Sequence, residues 1–242
     1  MGQVMAEGLG ADPEHSVVAL VDAHTPARDF GAIIATSLSE LDPASVDVVV
    51  DFSSPEGVVD SARWCAAHGV GLLVGATGMG EAERDELERA ARRTRVVVSA
   101  NFALGAALAE RFAAMAAPYF ERVEIIELHH DRKVDAPSGT ALATARAVAA
   151  ARAAAGRALP ADVTQRHSVA GSRGADVEGV RVHAVRLPGL VAHEEILLGG
   201  PGEGLTIRHD SYDRASFVPG VLVALRAMGS EAGLSVGLGS FL

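Results

Sequence analysis

The chain has 242 residues, 49% of them hydrophobic, enough to bury a substantial core as one large domain or two small ones. Its formal net charge of −10 comes without any basic block, which argues against nucleic acid or an anionic membrane as a partner. Cys65 is the one cysteine, so no internal disulfide can form. No uncharged apolar run reaches about 18 residues and no basic segment opens the chain, so a soluble, cytoplasmic protein is expected.

In chain order, Met1-Gly-Gln-Val-Met-Ala-Glu7 reads as the start of a helix. Short β-branched runs then alternate with longer Ala/Leu/Arg patterns, the signature of a parallel sheet flanked by helices. Strands are predicted over 16–21, 46–51, 71–74, 95–98 and 123–128, and helices near 55–68, 80–93, 104–117 and 138–155. The near-continuous apolar character of Val46-Asp-Val-Val-Val50 and Gly71-Leu-Leu-Val74 suits strands covered on both faces. Ser54 and Pro55 suit a helix start, and Cys65 falls on a helical pattern as a small apolar residue. Beyond the loop Ala170-Gly-Ser-Arg-Gly-Ala175 the texture changes. Strands over 180–187, 192–198 and 205–209 follow one another without helices, the last two joined by a hairpin turn at Gly199-Gly-Pro-Gly202. A final apolar helix over 218–228 returns to the first texture. The expected fold class is therefore α/β: a Rossmann-like parallel-sheet cofactor domain of residues 1–102 and 213–242, and a smaller α+β substrate domain of residues 103–212 with a mixed or antiparallel sheet.

A dinucleotide fold normally announces itself by a strand, three spaced glycines and a helix whose N-terminus holds the pyrophosphate. That fingerprint is absent. Asp22, however, ends the run Val17-Val-Ala-Leu-Val21 twenty residues after Gly2, the spacing of the acid that binds the adenosine ribose. The expectation is that Gly2 is the last glycine of a fingerprint whose strand and Gly-rich loop are missing through a start assigned too late. Gly75-Ala-Thr-Gly78 and Ser99-Ala-Asn-Phe102 each follow a strand at the carboxyl edge where open α/β sheets bind ligands. Gly75, Ala76 and Thr77 with Ser99, Ala100, Asn101 and Phe102 thus form a candidate rim for a nicotinamide.

The densest chemistry lies in Glu127-Leu-His-His-Asp-Arg-Lys-Val-Asp-Ala-Pro-Ser-Gly-Thr140. Lys133 is the only lysine among twenty-one basic residues, and an ammonium can be tuned to release a proton where a guanidinium cannot. His129 and His130, the only His-His pair, can exchange a proton near neutral pH and, leaving a strand, should point to opposite sides. Ser138 is a good N-cap, after which the N–H groups of Gly139, Thr140 and Ala141 offer an anion site at a helix start. The constellation describes a small carboxylate-bearing substrate held beside cationic proton donors. No Cys or carboxylate stands at a recognised metal-ligand spacing from the histidines, so no metal is expected.

This run resembles the signature of the 4-hydroxy-tetrahydrodipicolinate reductase (dihydrodipicolinate reductase) family. Asp51-Phe-Ser-Ser-Pro55, Gly75-Ala-Thr-Gly78, Ser99-Ala-Asn-Phe-Ala-Leu-Gly105, His183-Ala-Val-Arg186 and Ile207-Arg-His-Asp-Ser211 extend the likeness over nearly the whole chain, with Ala76 where the family usually has threonine. The resemblance implies an NADH- and/or NADPH-dependent reductase of diaminopimelate and lysine biosynthesis, acting on a small dicarboxylate and built as a homotetramer. It implies His129 as proton donor/acceptor and Lys133 as proton donor. His130, Gly139 and Thr140 would bind substrate, and Asp22, Gly75 to Thr77 and Ser99 to Phe102 would bind cofactor. Competing readings are a catalytically impaired dicarboxylate-binding remnant and another two-domain nicotinamide oxidoreductase.

Overall fold

Runs such as Gly71-Leu-Leu-Val74 leave no polar face for water, so they are stable only when both sides are covered. In the computed structural model, which describes residues Met1–Leu242, they become strands between helices. The order is α1 (Gly2–Gly10), β1 (Ala19–Val21), β2 (Ile33–Ala35), β3 (Val48–Asp51), α2 (Pro55–His68), β4 (Gly71–Val74), α3 (Glu81–Ala91), β5 (Arg95–Val98), α4 (Leu104–Ala116), β6 (Arg122–His129), α5 (Gly139–Ala154), β7 (Ala175–Val177), β8 (Val180–Arg186), β9 (Ala192–Gly200), β10 (Glu203–Ser211), α6 (Val218–Ala227) and β11 (Gly233–Val236). The chain divides into two compact units, Met1–Ala103 with Arg214–Leu242, and Leu104–Asp213.

In the first unit, β11, β5, β4 and β3 form a parallel sheet in that order, while β1 and β2 form a separate parallel pair. All four residues of β4 are buried, and Val58, Ala62, Cys65, Leu87 and Val96 pack around it. Burial pushes the Cys65 thiol up to about 12, consistent with an inert apolar filler. The ladder continues one residue past each strand: Gly75 N–H donates to Asp51 O at 2.8 Å, Ser99 N–H to Val74 O at 3.0 Å and Gly237 N–H to Val98 O at 2.8 Å. The loops after β3, β4 and β5 therefore leave from one edge of the sheet. Phe52 and Phe102, from the outer two of these loops, meet with ring centroids 5.9 Å apart. On the α6 side, Gly220 lies against the Phe102 carbonyl, and α1 rests on α6 with Gly8 against Val218.

The second unit is a five-stranded sheet in the order β10-β9-β6-β8-β7, with β6 and β8 parallel and the other pairs antiparallel. Helices α4 and α5 lay small residues (Ala109, Ala113, Ala141, Ala145) onto Val123, Ile125, Ile196 and Leu198. Three short strands, β2, β7 and β11, were not expected from the sequence. The hairpin turn is also shorter than the four residues Gly199–Gly202 suggest. Both strands run on until only Pro201 and Gly202 remain, Gly202 taking φ +80°, where glycine has no Cβ to clash. No helix is long and apolar enough to cross a membrane.

The fit of α6 on the Phe102 loop yields a test. Alanine at an interior helix position normally gains about 1 kcal/mol over glycine. At 220, however, a Cβ would overlap the Phe102 carbonyl and approach Leu238 at 2.8 Å, and backbone cannot yield as a flexible side chain can. Gly220→Ala is expected to destabilise the chain by about 1–3 kcal/mol, read from urea unfolding midpoints.

Candidate active site

Strand β6 alternates buried and half-buried positions, so Val123, Ile125 and Glu127 share the face that α4 and α5 cover. A carboxylate thus occupies a core position with 0% exposure. An ionised group there is tolerable only if its lone pairs are matched. They are. Arg186, which ends β8 in register with His129, donates from both terminal nitrogens to the two Glu127 oxygens at 2.7 Å. His129 Nδ1 lies 2.6 Å from Oε2, and the Ser138 N–H donates to Oε1 at 3.0 Å. Burial alone would push the Glu127 carboxyl up. The bonds from His129 and Arg186 and their charges outweigh it and bring it down to about 2.

An ionised carboxylate only accepts, so the hydrogen in the His129–Glu127 bond sits on Nδ1, leaving Nε2 as the atom that can take or give a proton. His130 lies just beyond the strand, and its Nδ1 is buried with no hydrogen-bond partner. Lys133 turns back within the loop, where its ammonium bonds both Asp135 oxygens at 2.7 and 2.8 Å. Ser138 caps α5 with its side chain accepting from the Ala141 N–H at 3.2 Å. Ala141 therefore offers no free N–H, correcting the sequence reading, and Gly139 and Thr140 are the two residues at the helix start. The structure brings His129, His130, Lys133, Gly139 and Thr140 into the second unit, on one segment. Sequence reasoning missed Glu127 and Arg186 as parts of this site. The detectable signal was an acid at the third position of the Val123, Ile125, Glu127 core face.

The other candidate residues lie in the first unit. Asp22 follows β1 with its carboxylate 63% exposed, accepting from the His24 N–H at 2.9 Å. Gly75, Ala76 and Thr77 follow β4; a Cβ at 75 would collide with the Phe52 ring, so packing alone demands glycine there. Thr77 is exposed and Ala76 buried. In the loop after β5, Ser99 Oγ donates to Asn101 O at 2.7 Å, Asn101 Oδ1 accepts from the Ala103 N–H at 2.8 Å, Ala100 is exposed and Phe102 is buried. The two loops sit at neighbouring strand ends, whereas Asp22 belongs to the separate β1–β2 pair.

Comparison with known proteins decides the family. Models described as dihydrodipicolinate reductase, N-terminus and C-terminus, match residues 1–102 and 104–242. The chain belongs to the dihydrodipicolinate reductase family. Among relatives named 4-hydroxy-tetrahydrodipicolinate reductase, it is 52% identical to the protein of Beutenbergia cavernae, 46% to that of Nocardia farcinica and 44% to that of Corynebacterium diphtheriae. Each alignment covers 100% of this chain and 94% of the relative. A dipicolinate-bound dihydrodipicolinate reductase from Paenisporosarcina superposes with a TM-score of 0.83 at 34% identity, over 100% of this chain and 95% of that one. A probable dehydrogenase from Thermotoga maritima shares the fold alone, with a TM-score of 0.63 at 12% identity. The Glu127 cluster therefore lies in the C-terminal part of a family reductase.

Removing its central charge should be costly. Glu127→Gln takes from Arg186 its bonded carboxylate, leaving only the more distant charge of Asp135; because Arg186 is 20% exposed and can be partly rehydrated, the expected loss is about 3 kcal/mol, the low end for a broken buried pair. The carboxyl titrates near 4.5 when unfolded and near 2 when folded, so its contribution is full above about pH 4.5 and disappears as pH falls through about 2. Urea midpoints at about pH 7 and about pH 3 should show the wild type losing more stability in acid than Glu127→Gln.

Proposed function

We propose that the chain reduces 4-hydroxy-tetrahydrodipicolinate to tetrahydrodipicolinate in the diaminopimelate route to lysine, using NADH or NADPH. The observation that carries the reading is the buried Glu127 carboxylate fixing His129 with Nε2 available, on the same segment as Lys133 and the start of α5. In the reaction the 4-hydroxyl leaves as water, a hydride adds at C4 and a proton adds to the resulting enamine. His129 exchanges a proton through Nε2 and Lys133 delivers one from its ammonium. The dicarboxylate is held by His130, whose buried Nδ1 lacks a protein partner, and by Gly139 and Thr140 at the N-terminus of α5. The dipicolinate carried by the Paenisporosarcina relative supports that ligand class.

The residues of the first unit fit a nicotinamide dinucleotide. The loops after β4 and β5 share the carboxyl edge of a parallel sheet, Gly78 takes φ +83° with open space where a Cβ would stand, and Asp22 presents an exposed acceptor at a strand end. When bound, that cofactor supplies the hydride. Gly75, Ala76, Thr77 and Ser99 to Phe102 would line its nicotinamide end and Asp22 its adenosine ribose. The unit Met1–Ala103 with Arg214–Leu242 is then the dinucleotide-binding domain, and Leu104–Asp213 the substrate and oligomerisation domain. Support for a homotetramer through that second domain comes from β10, a nine-residue edge strand with residues 203–206 exposed.

Lys133→Arg keeps the charge but cannot release a proton at neutral pH. It should leave KM for substrate near the wild-type value and lower kcat by roughly 10²–10⁴, followed by nicotinamide oxidation with freshly generated substrate. Full retention of kcat would reduce Lys133 to an electrostatic anchor.

Asp22→Ala removes an acceptor for the ribose 2′-hydroxyl and relieves repulsion of a 2′-phosphate. Calorimetric titration should show NADH weakened more than NADPH. Equal effects would limit Asp22 to holding the His24 turn.

A further inference from the structure

A row of ionisable side chains crosses the second sheet. Glu127 of β6 stands opposite Glu194 of β9, and Glu194 opposite His209 of β10. Directly opposed residues share a face, their Cβ atoms about 4.5–5.5 Å apart. This face is the one under α4 and α5. Glu194 is 4% exposed; its Oε2 accepts from Thr144 Oγ1 of α5 at 3.1 Å, and its Oε1 is buried with no hydrogen-bond partner.

The groups that face it are few. From α4 comes Glu110, a carboxyl whose proton affinity burial raises. From β10 comes His209, whose imidazole burial pushes down and against whose ring Gly105 of α4 is set. From α5 comes only the Thr144 hydroxyl. From β6 comes Glu127, and beyond it on β8 Arg186, whose two terminal nitrogens bond Glu127 and the carbonyls of Asp135 and Val185 while its Nε is buried without a partner. No arginine or lysine bonds Glu194.

Two carboxylates in one buried row do not ionise equally. Glu127, with Arg186, His129 and the Ser138 N–H directed at it, takes the charge. Burial pushes Glu194 up to about 7; the Thr144 hydroxyl opposes this, and the negative charges of Glu110 and Glu127 add to it.

We propose that Glu194 is a positioning residue acting through Glu127, its charge state setting how firmly the His129 ring holds its proton. While Glu194 is a neutral acid, the row carries one negative charge, matched by Arg186. When Glu194 releases its proton to solvent, a second negative charge enters the row. With Arg186 already committed, the His129 imidazolium is the group that balances it. The proposal rests on reading His129 as the proton-exchanging group, and it makes the site respond to pH through a residue that touches no substrate.

The test reads the ring itself. In the full chain labelled with ¹⁵N-histidine, with the His129 signal assigned by its disappearance in His129→Gln, the ring should report a second titration step near pH 7. Glu194→Gln keeps the side-chain volume and a group to meet Thr144 but cannot ionise, so this step should vanish. The pH profile of kcat should lose the matching inflection. Thr144→Val leaves Glu194 ionisable but removes the bond that favours its charged form, so the step should move to higher pH. This second variant decides the matter if Glu194→Gln does not fold. A His129 titration identical in wild type and Glu194→Gln, or a step unmoved or lowered in Thr144→Val, would overturn the proposal. Because the ring signals need no turnover, failure of the reductase reading would show separately, as absence of nicotinamide oxidation by the wild-type chain.

Discussion

A carboxylate placed where a strand should present a hydrophobic side chain is costly to desolvate unless it is fully bonded, and Glu127 is the point at which the second unit accepts that cost. Its four bonds tie β6 to β8 through Arg186, to the start of α5 through the Ser138 N–H and to the end of its own strand through His129. The same bonds keep it ionised against burial, and an ionised partner fixes which nitrogen of His129 bears hydrogen. The packing of the second unit and the tautomer of His129 thus depend on one group.

The first unit is governed by close approach. Glycine at 75 admits the Phe52 ring, Phe52 packs on Phe102, and glycine at 220 admits the Phe102 carbonyl. Backbone and aromatic rings, which deform little, thereby set the loops after β3 and β5. Gly78 differs: it combines positive φ with open space, so its glycine answers to backbone conformation alone. Two glycines three residues apart in one motif are present for different physical reasons.

Periodicity made most of the fold legible. Gly71–Val74 and Arg95–Val98 agree with the sequence reading to the residue, and the helices over 55–68 and 138–155 deviate by at most a residue at each end, because apolar pattern and caps were both written locally. Ile33–Ala35, Ala175–Val177 and Gly233–Val236 were not legible. They are three or four residues long; β11 is extended only because β5, far back in the chain, pairs with it, β2 lies against β1, and β7 is the three-residue arm of a tight hairpin with β8. In the site, the His-His pair and the single lysine stood out by type and rarity. The proximity of Glu127, Arg186 and Glu194 did not, because it arises from strand register, which brings residues 127, 186 and 194 together only after the sheet forms.

Strand β9 carries Glu194 and Glu195 side by side, one directed into the core and the other meeting Arg208 on the opposite face. A strand with a two-residue repeat cannot shift by one position without exchanging its faces. Moving β9 by a single residue would bury the partner of Arg208, expose Glu194 and separate Glu127 from its opposite number. Length changes in this family member should therefore be tolerated at the Pro201–Gly202 turn in units that preserve the facing of both strands, and rejected between residues 122 and 129 or 192 and 200. The sheet acts as a ruler for sequence length as well as a scaffold for the site.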